Sequence, residues 1–291
     1  MTTIRDIKSK IKGISSTHKI TKSMKIIAQI RYQKALRQLL PLRPYYYRVK
    51  EFVSFAVNFL PNDDYDKIEL FSEKKYIKTV LVLVVSSDKG LCGAFNSSLF
   101  RELEKFINKY KENNVNIKFI SIGQKAYSYL SRKKGDIYSN YVNLPPLPSM
   151  EIAQEISDEC VSMFRSGLVQ EVWAVYNSFS SMTKYLTQVE RFLPMVPEKF
   201  EKNVIIPQYV FEPSVSDILV YMLPQQLRSH IYQILFESNL SEYSARVVAM
   251  DMATNAAQKI ISNLILTYNK LRQALITKEL IEVVSGAEAL K

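Results

Sequence analysis

Long apolar runs are missing from this chain of 291 residues. The longest uninterrupted aliphatic stretch is Val80 to Val85, whereas a helix needs roughly 18 consecutive apolar residues to cross a bilayer. No membrane span is expected. The opening "MTTIRDIKSK" lacks the apolar centre of a secretory signal, so a soluble, non-exported chain is the expectation. Cysteine is almost absent. Cys92 and Cys160, far apart in sequence, are too few for a disulfide framework or a four-ligand zinc site, and they suit a reducing compartment. His18 and His230 are the only histidines, and no metal site follows from them. Glycine and proline are absent from residues 225–285, so nothing there breaks a helix.

Catalytic wording is equally thin. "SSDKGLCGAFNSS", Ser86 to Ser98, joins a strand, a glycine turn and a helix start, the geometry that cradles phosphates. Gly90 and Gly93, three apart, match neither phosphate-loop pattern, and no lysine follows to neutralise a phosphate. Cys92 near a helix start lacks a histidine in the same domain to activate it, so it reads as a structural thiol. Glu102, Glu104, Glu151 and Glu155 recur at helical spacing on amphipathic elements, the arrangement of a solvated face. No catalytic residue, cofactor site or metal site is expected.

Positive charge is present and localised. Residues 1–57 carry 13 Lys or Arg against Asp6 and Glu51, while the remainder balances. Such a segment suits nucleic acid, an anionic membrane, an acidic protein surface or a merely solvated helix face. The same segment has apolar residues at Ile4, Ile7, Ile11 and Ile14, then Ile20, Met24 and Ile27, then Ala35, Leu39, Leu42, Tyr46, Val49, Val53 and Ala56. These are steps of three and four with a register shift after Ile14. Pro41 and Pro44 lie off the stripe, so the helix either continues with a kink or breaks there.

Near the other end Val247, Met250, Thr254, Ala257, Ile261, Leu264, Tyr268, Leu271 and Leu275 keep steps of three and four throughout. A helix over residues 225–285 is about 90 Å long at roughly 1.5 Å per residue and needs a partner. The simplest is the N-terminal seam, in an antiparallel coiled coil; the alternative is a homodimeric coil. Between them, 47% hydrophobic content overall supports a packed core. "KTVLVLVVSS" and "NIKFISIG" read as buried strands. "NSSLFRELEKFINKY", capped by Asn96, and "QKAYSYLSRK" read as helices. After the loop "LPPLPS" come a helix from Met150 to Phe164, a strand "VQEVWAVYNSF" and an edge or hairpin strand "TQVERFLPM". The expected fold is a long antiparallel coiled coil of the two terminal helices with a small inserted α/β domain. Its segments are 1–57 (N-terminal helix), 58–212 (α/β domain) and 213–291 (C-terminal helix).

Three blocks carry a resemblance: "IKSKIKGISSTHKITKSMKIIAQIRYQKA", "SSDKGLCGAFNSSLF" and "SEYSARVVAMDMATNAAQKIISNLILTYNKLRQALITKELIEVVSGAEAL". In this order they closely resemble the gamma subunit of bacterial F-type ATP synthase, departing from the usual wording at Ala94, Phe95 and Leu271. The resemblance implies a rotary shaft whose antiparallel coil turns inside a ring of alpha and beta subunits, coupling proton flow to ATP synthesis. Its α/β domain would contact the epsilon subunit and the c-ring. It also implies that Arg272, Gln273 and Thr277 meet a catch loop of a beta subunit, and that Lys22, Met24 and Arg246 face neighbouring acidic loops. The implied location is peripheral, on the cytoplasmic side of the cell inner membrane. No cysteine-pair insertion like that of the chloroplast relatives is present, so thiol regulation is not expected. Two rival readings are a basic coiled-coil nucleic-acid-binding protein, which would bind DNA with a steep salt dependence, and a small nucleotide-dependent enzyme, which would bind nucleotide alone.

Overall fold

The run Val80–Val85 is buried along its whole length because both faces of its strand are covered, the environment that demands continuous rather than alternating apolar residues. In the computed structural model, which describes residues 3–65, 67–74, 76–196 and 211–289, it forms most of β1 (Thr79–Val85). The other strands are β2 (Asn116–Ile122), β3 (Asp136–Tyr141), β4 (Glu171–Ser181) and β5 (Lys184–Leu193). Six helices accompany them among the described residues: α1 (Ile4–Val57), α2 (Asn62–Tyr65), α3 (Phe95–Glu112), α4 (Gln124–Arg132), α5 (Met150–Arg165) and α6 (Val215–Ala289). The sheet order is β3-β2-β1-β4-β5. β1 pairs in parallel with β2 and β4, β2 pairs in parallel with β3, and β5 returns antiparallel to β4.

The chain divides into two compact units, one of residues 1–29 with 246–291 and one of residues 30–245. Both long helices contribute to both units.

In the larger unit Val80, Val82 and Val84 face Leu99, Leu103 and Phe106 of α3 and Ala126 and Leu130 of α4. Leu81, Leu83 and Val85 face the opposite way, into a core with Ile156, Cys160 and Phe164 of α5, Val53 and Ala56 of α1, and Leu219, Leu223 and Leu227 of α6. A second helix–helix cluster joins Ala35 and Leu39 to Phe236, Leu240 and Tyr243. Each fully buried leucine of these layers contributes about 1.5–3 kcal/mol of transfer free energy. Glu237 sits buried where α1, β4 and α6 meet. It receives Arg43 Nε at 3.2 Å, Ser178 Oγ at 2.6 Å and Gln233 Nε2 at 2.9 Å, which satisfies a charge that would otherwise be costly to bury.

In the smaller unit α1 and α6 pair antiparallel. Lys25 Nζ lies 2.6 Å from Asp251 Oδ1, and Thr254 Oγ1 lies 2.9 Å from Thr21 Oγ1. Each step forward on one helix is matched by a step back on the other, which brings Ile14 level with Ile261 and Ile4 level with Leu271. The pairing expected from the sequence is therefore made within one chain.

Four details differ from the sequence reading. The seam of α1 has no register shift. Its less exposed positions continue from Ile14 through His18, Thr21, Lys25, Ala28 and Tyr32 to Ala35, in unbroken steps of four and three. Ile20 and Ile27, expected on the seam, are 60% and 52% exposed. The true seam is polar over this stretch, so a search for apolar residues jumped to the wrong side of the helix. Leu275 is 45% exposed because α1 offers nothing opposite α6 beyond about Leu271. The strand β3 went unread: "DIYSNY" is a polar edge strand, paired only with β2, in which exposed and half-buried residues alternate. Asn96 is not a cap, since α3 starts at Phe95 after Ala94. α1 runs through Pro41 and Pro44, both exposed, so the lost backbone bonds face water.

At the β2–α4 junction, Gly123 has φ +91°, and a Cβ built on it falls 2.3 Å from the carbonyl oxygen of Ser86. Replacing Gly123 with Ala should therefore destabilise the chain by about 2 kcal/mol or more. Thermal melting against the parent checks this; an unchanged midpoint would mean that the β1 and β2 ends part freely.

Candidate functional site

In a sheet of this topology a ligand is expected beyond the carboxyl end of β1, where the chain turns to β2 on one side and β4 on the other. The segment Ser86–Ala94 occupies that end. The first-turn N–H groups of α4 are the natural anion site, and this loop fills it. Gln124 N donates to Asp88 Oδ1 at 2.8 Å, Lys125 N to the carbonyl of Ser87 at 3.1 Å, and Ala126 N to Ser86 Oγ at 2.7 Å. The same Asp88 oxygen accepts from Asn143 N at 3.2 Å. The chain's own carboxylate thus stands where a phosphate would bind.

Across the loop, Asn96 Oδ1 accepts from Ser87 N at 3.2 Å, and its Nδ2 lies 3.3 Å from Cys92 Sγ. Cys92 is buried and contributes to holding the turn, as a structural thiol does. Burial pushes the thiol of Cys160 far above its ordinary range, which keeps it protonated.

Other buried ionisable groups are also tied up structurally. Glu171 accepts from Tyr110 Oη at 2.6 Å and Trp173 Nε1 at 2.8 Å, with Arg191 Nη1 at 3.6 Å. His230 is stacked on Tyr46 at 4.6 Å between ring centroids, touches Phe192 and has Nε2 3.4 Å from Glu190 Oε2. Of the glutamates read as a solvated face, Glu102 pairs with Lys105, and Glu104 with Lys133 and Tyr129. Among the described residues no group of three or more His, Cys, Asp or Glu is placed to hold a metal ion.

The residues singled out for partner contact all belong to the smaller unit. Lys22 is exposed, and Met24 is half-buried beside the seam. Arg246, the first residue of the α6 segment in this unit, is only 8% exposed. Arg272, Gln273 and Thr277 are exposed, and Thr277 Oγ1 donates back to the carbonyl of Gln273 at 2.9 Å. The register places Lys22 and Met24 roughly 30 Å, and Arg246 roughly 40 Å, along α6 from Arg272 at about 1.5 Å per residue. They form two separate patches on one rod. The sequence reading missed the polar pair Lys25–Asp251, which lies at the level of the first patch; the signal for it was the unbroken step of four and three that Lys25 completes.

The family model for ATP synthase matches residues 3–290. The chain belongs to the ATP synthase gamma family. The gamma chain of Fusobacterium nucleatum is 34% identical over 287 residues, covering 99% of each chain. That of Chlorobaculum tepidum is 33% identical over 294 residues, covering 100% of each. Among solved structures, a chain of the Euglena gracilis mitochondrial ATP synthase (OSCP, F1 and c-ring) superposes with a TM-score of 0.68 at 18% identity. It covers 99% of this chain and 94% of the other. A chain of the Tetrahymena thermophila central stalk and c-ring superposes with a TM-score of 0.61 at 23% identity, covering 80% and 99%. These two likenesses show the fold. The gamma chain is the central rotary shaft of ATP synthase and by family a non-catalytic subunit of that membrane-associated complex. No described helix is long and apolar enough to cross a membrane.

If Asp88 is the built-in anion of α4, Asp88→Ala should cost about 1–2 kcal/mol, as the loss of a capping carboxylate does. Asp88→Asn, which keeps the acceptor oxygen, should cost less than half of that. Chemical denaturation of both variants checks the order; equal losses would assign the effect to charge alone.

Proposed function

We propose that the smaller unit is the bearing of the shaft, seated inside the ring of alpha and beta subunits, and that the chain has no catalytic site of its own. The observation that carries this reading is an exposed apolar surface on the paired helices. Ile20, Ile26 and Ile27 on α1 and Leu266, Leu280 and Val283 on α6 all stand more than half exposed. A monomer rarely leaves so much aliphatic surface open, and a surrounding sleeve would cover it. Basic residues interleave with it, Lys19, Lys22, Lys270 and Arg272 among them, which suits a sleeve with acidic loops.

On this reading Arg272, Gln273 and Thr277 meet a catch loop of a beta subunit, and Lys22, Met24 and Arg246 face neighbouring acidic loops. Arg246, 8% exposed, offers such a loop the least surface of the three. The larger unit meets the epsilon subunit and the c-ring, on the cytoplasmic side of the cell inner membrane. Rotation of an unsymmetrical rod favours a different conformation of each beta subunit in turn, which couples proton flow to ATP synthesis. Nucleic-acid binding has no support beyond the basic charge, since the same face is strongly aliphatic.

The test is a pair of variants. Arg272→Ala with Gln273→Ala should leave melting of the free chain almost unchanged, because both side chains are exposed and alanine favours helix. ATPase turnover or assembly of the reconstituted complex should fall. Unaltered turnover and assembly would remove Arg272 and Gln273 from the bearing. Ile261→Asp with Leu264→Asp should instead cost the free chain several kcal/mol, by setting charge into the half-buried seam. Unchanged helicity and melting of that variant would misplace the seam.

A further inference from the structure

On the α1 side the seam of the smaller unit is polar from His18 through Thr21 to Lys25. Above and below this stretch the facing positions are aliphatic, with Ile14 level with Ile261 on one side and Ala28 and Val247 buried on the other. Between them Lys25 Nζ meets Asp251 Oδ1 at 2.6 Å, and one turn away Thr21 and Thr254 hydroxyls lie 2.9 Å apart. The side chains of Lys25 and Asp251 are 37% and 45% exposed, so the ion pair adds little to stability. Polar seam positions act instead on which helix pairs with which.

We propose that this layer selects pairing of α1 with α6 inside one chain against seam-to-seam pairing of two copies. The heptad pattern of α1 alone fits either. Lys25 occupies a seam position, in the column that runs through Ile11, His18, Lys25, Tyr32 and Leu39. Two copies of α1 aligned in parallel would set Lys25 against Lys25, like charges across a narrow seam. Two copies crossed antiparallel about His18 would set Lys25 against Ile11, an ammonium facing a branched aliphatic side chain with no acceptor. Either arrangement also strips Asp251 and Thr254 of their partners on α1. Of these three arrangements the pairing with α6 is the one that answers the charge on Lys25. The need is concrete, because this unit exposes apolar surface and would meet other copies before any ring encloses it.

The experiment uses the full chain with His18→Cys as a reporter on the seam, a position that meets its own copy in both arrangements, oxidised and read as disulfide-linked dimer on a non-reducing gel. The parent without the reporter, whose Cys92 and Cys160 are buried, gives the background. Two altered layers are compared: Lys25→Leu with Asp251→Leu, and the exchanged pair Lys25→Asp with Asp251→Lys. The leucine form should fold with unchanged helicity and give roughly tenfold more linked dimer, the ratio that one removed like-charge contact carries. The exchanged form should stay at the level of the unaltered layer, since opposite charges still face each other within one chain. Linkage in the leucine form at the unaltered level would overturn the proposal, as would an exchanged form that dimerises like the leucine form. Loss of helicity in the leucine form would overturn it as well, because the layer would then hold the fold rather than choose the partner.

Discussion

The antiparallel contact of α1 with α6 is the constraint on which everything else in this protein rests. Neither helix could exist alone at its length: most helical stability in proteins comes from packing an apolar face, and both seams are continuous. In the larger unit that contact is thickened by the sheet and α5, which cover the helices with fully buried leucine and isoleucine. In the smaller unit only the two helices face each other, and the seam there is built from small or polar residues such as Ala28, Thr21, Thr254 and Ala257. The same pairing thus yields a solid body in one unit and a slender rod in the other.

The α/β unit has the topology that elsewhere serves nucleotides, yet its most telling ionisable groups are held from within. Asp88 takes the helix-end anion position, Glu171 and Glu237 are each held by several donors, and Cys160 is buried and protonated. Groups spent on hydrogen bonds of this kind rigidify a body rather than offer it reactivity. That is the property a shaft needs, since a rotor that deformed locally would not transmit a displacement to its partners.

Much of this was legible in the sequence, for reasons that differ by element. The two-sided burial of β1 could be read from Val80–Val85 alone, and α5 from Met150 to Phe164, because both have strong apolar signals. The C-terminal seam was readable from Val247 to Leu271, since apolar residues hold its positions. The α1 seam between His18 and Lys25 was not, because the residues that face α6 there are polar and the aliphatic ones face outward. β3 was missed because an edge strand half in water carries no hydrophobic run. Asp88 was passed over because capping across a fold, between residues 36 apart, leaves no local pattern. The residues proposed to meet partners came from resemblance, and the fold leaves Lys22, Arg272, Gln273 and Thr277 exposed, Met24 half-buried and Arg246 buried.

The central claim is that the rod is completed by a surrounding sleeve. Hydrogen exchange along residues 272–286 of α6 tests it most directly, because they are exposed and among the described residues α1 begins at Ile4, level with Leu271. In the free chain these amides should exchange rapidly while residues 247–264 are protected by pairing with α1. In the assembled complex the same amides should become strongly protected. Protection already present in the free chain, or fast exchange persisting in the complex, would contradict the account.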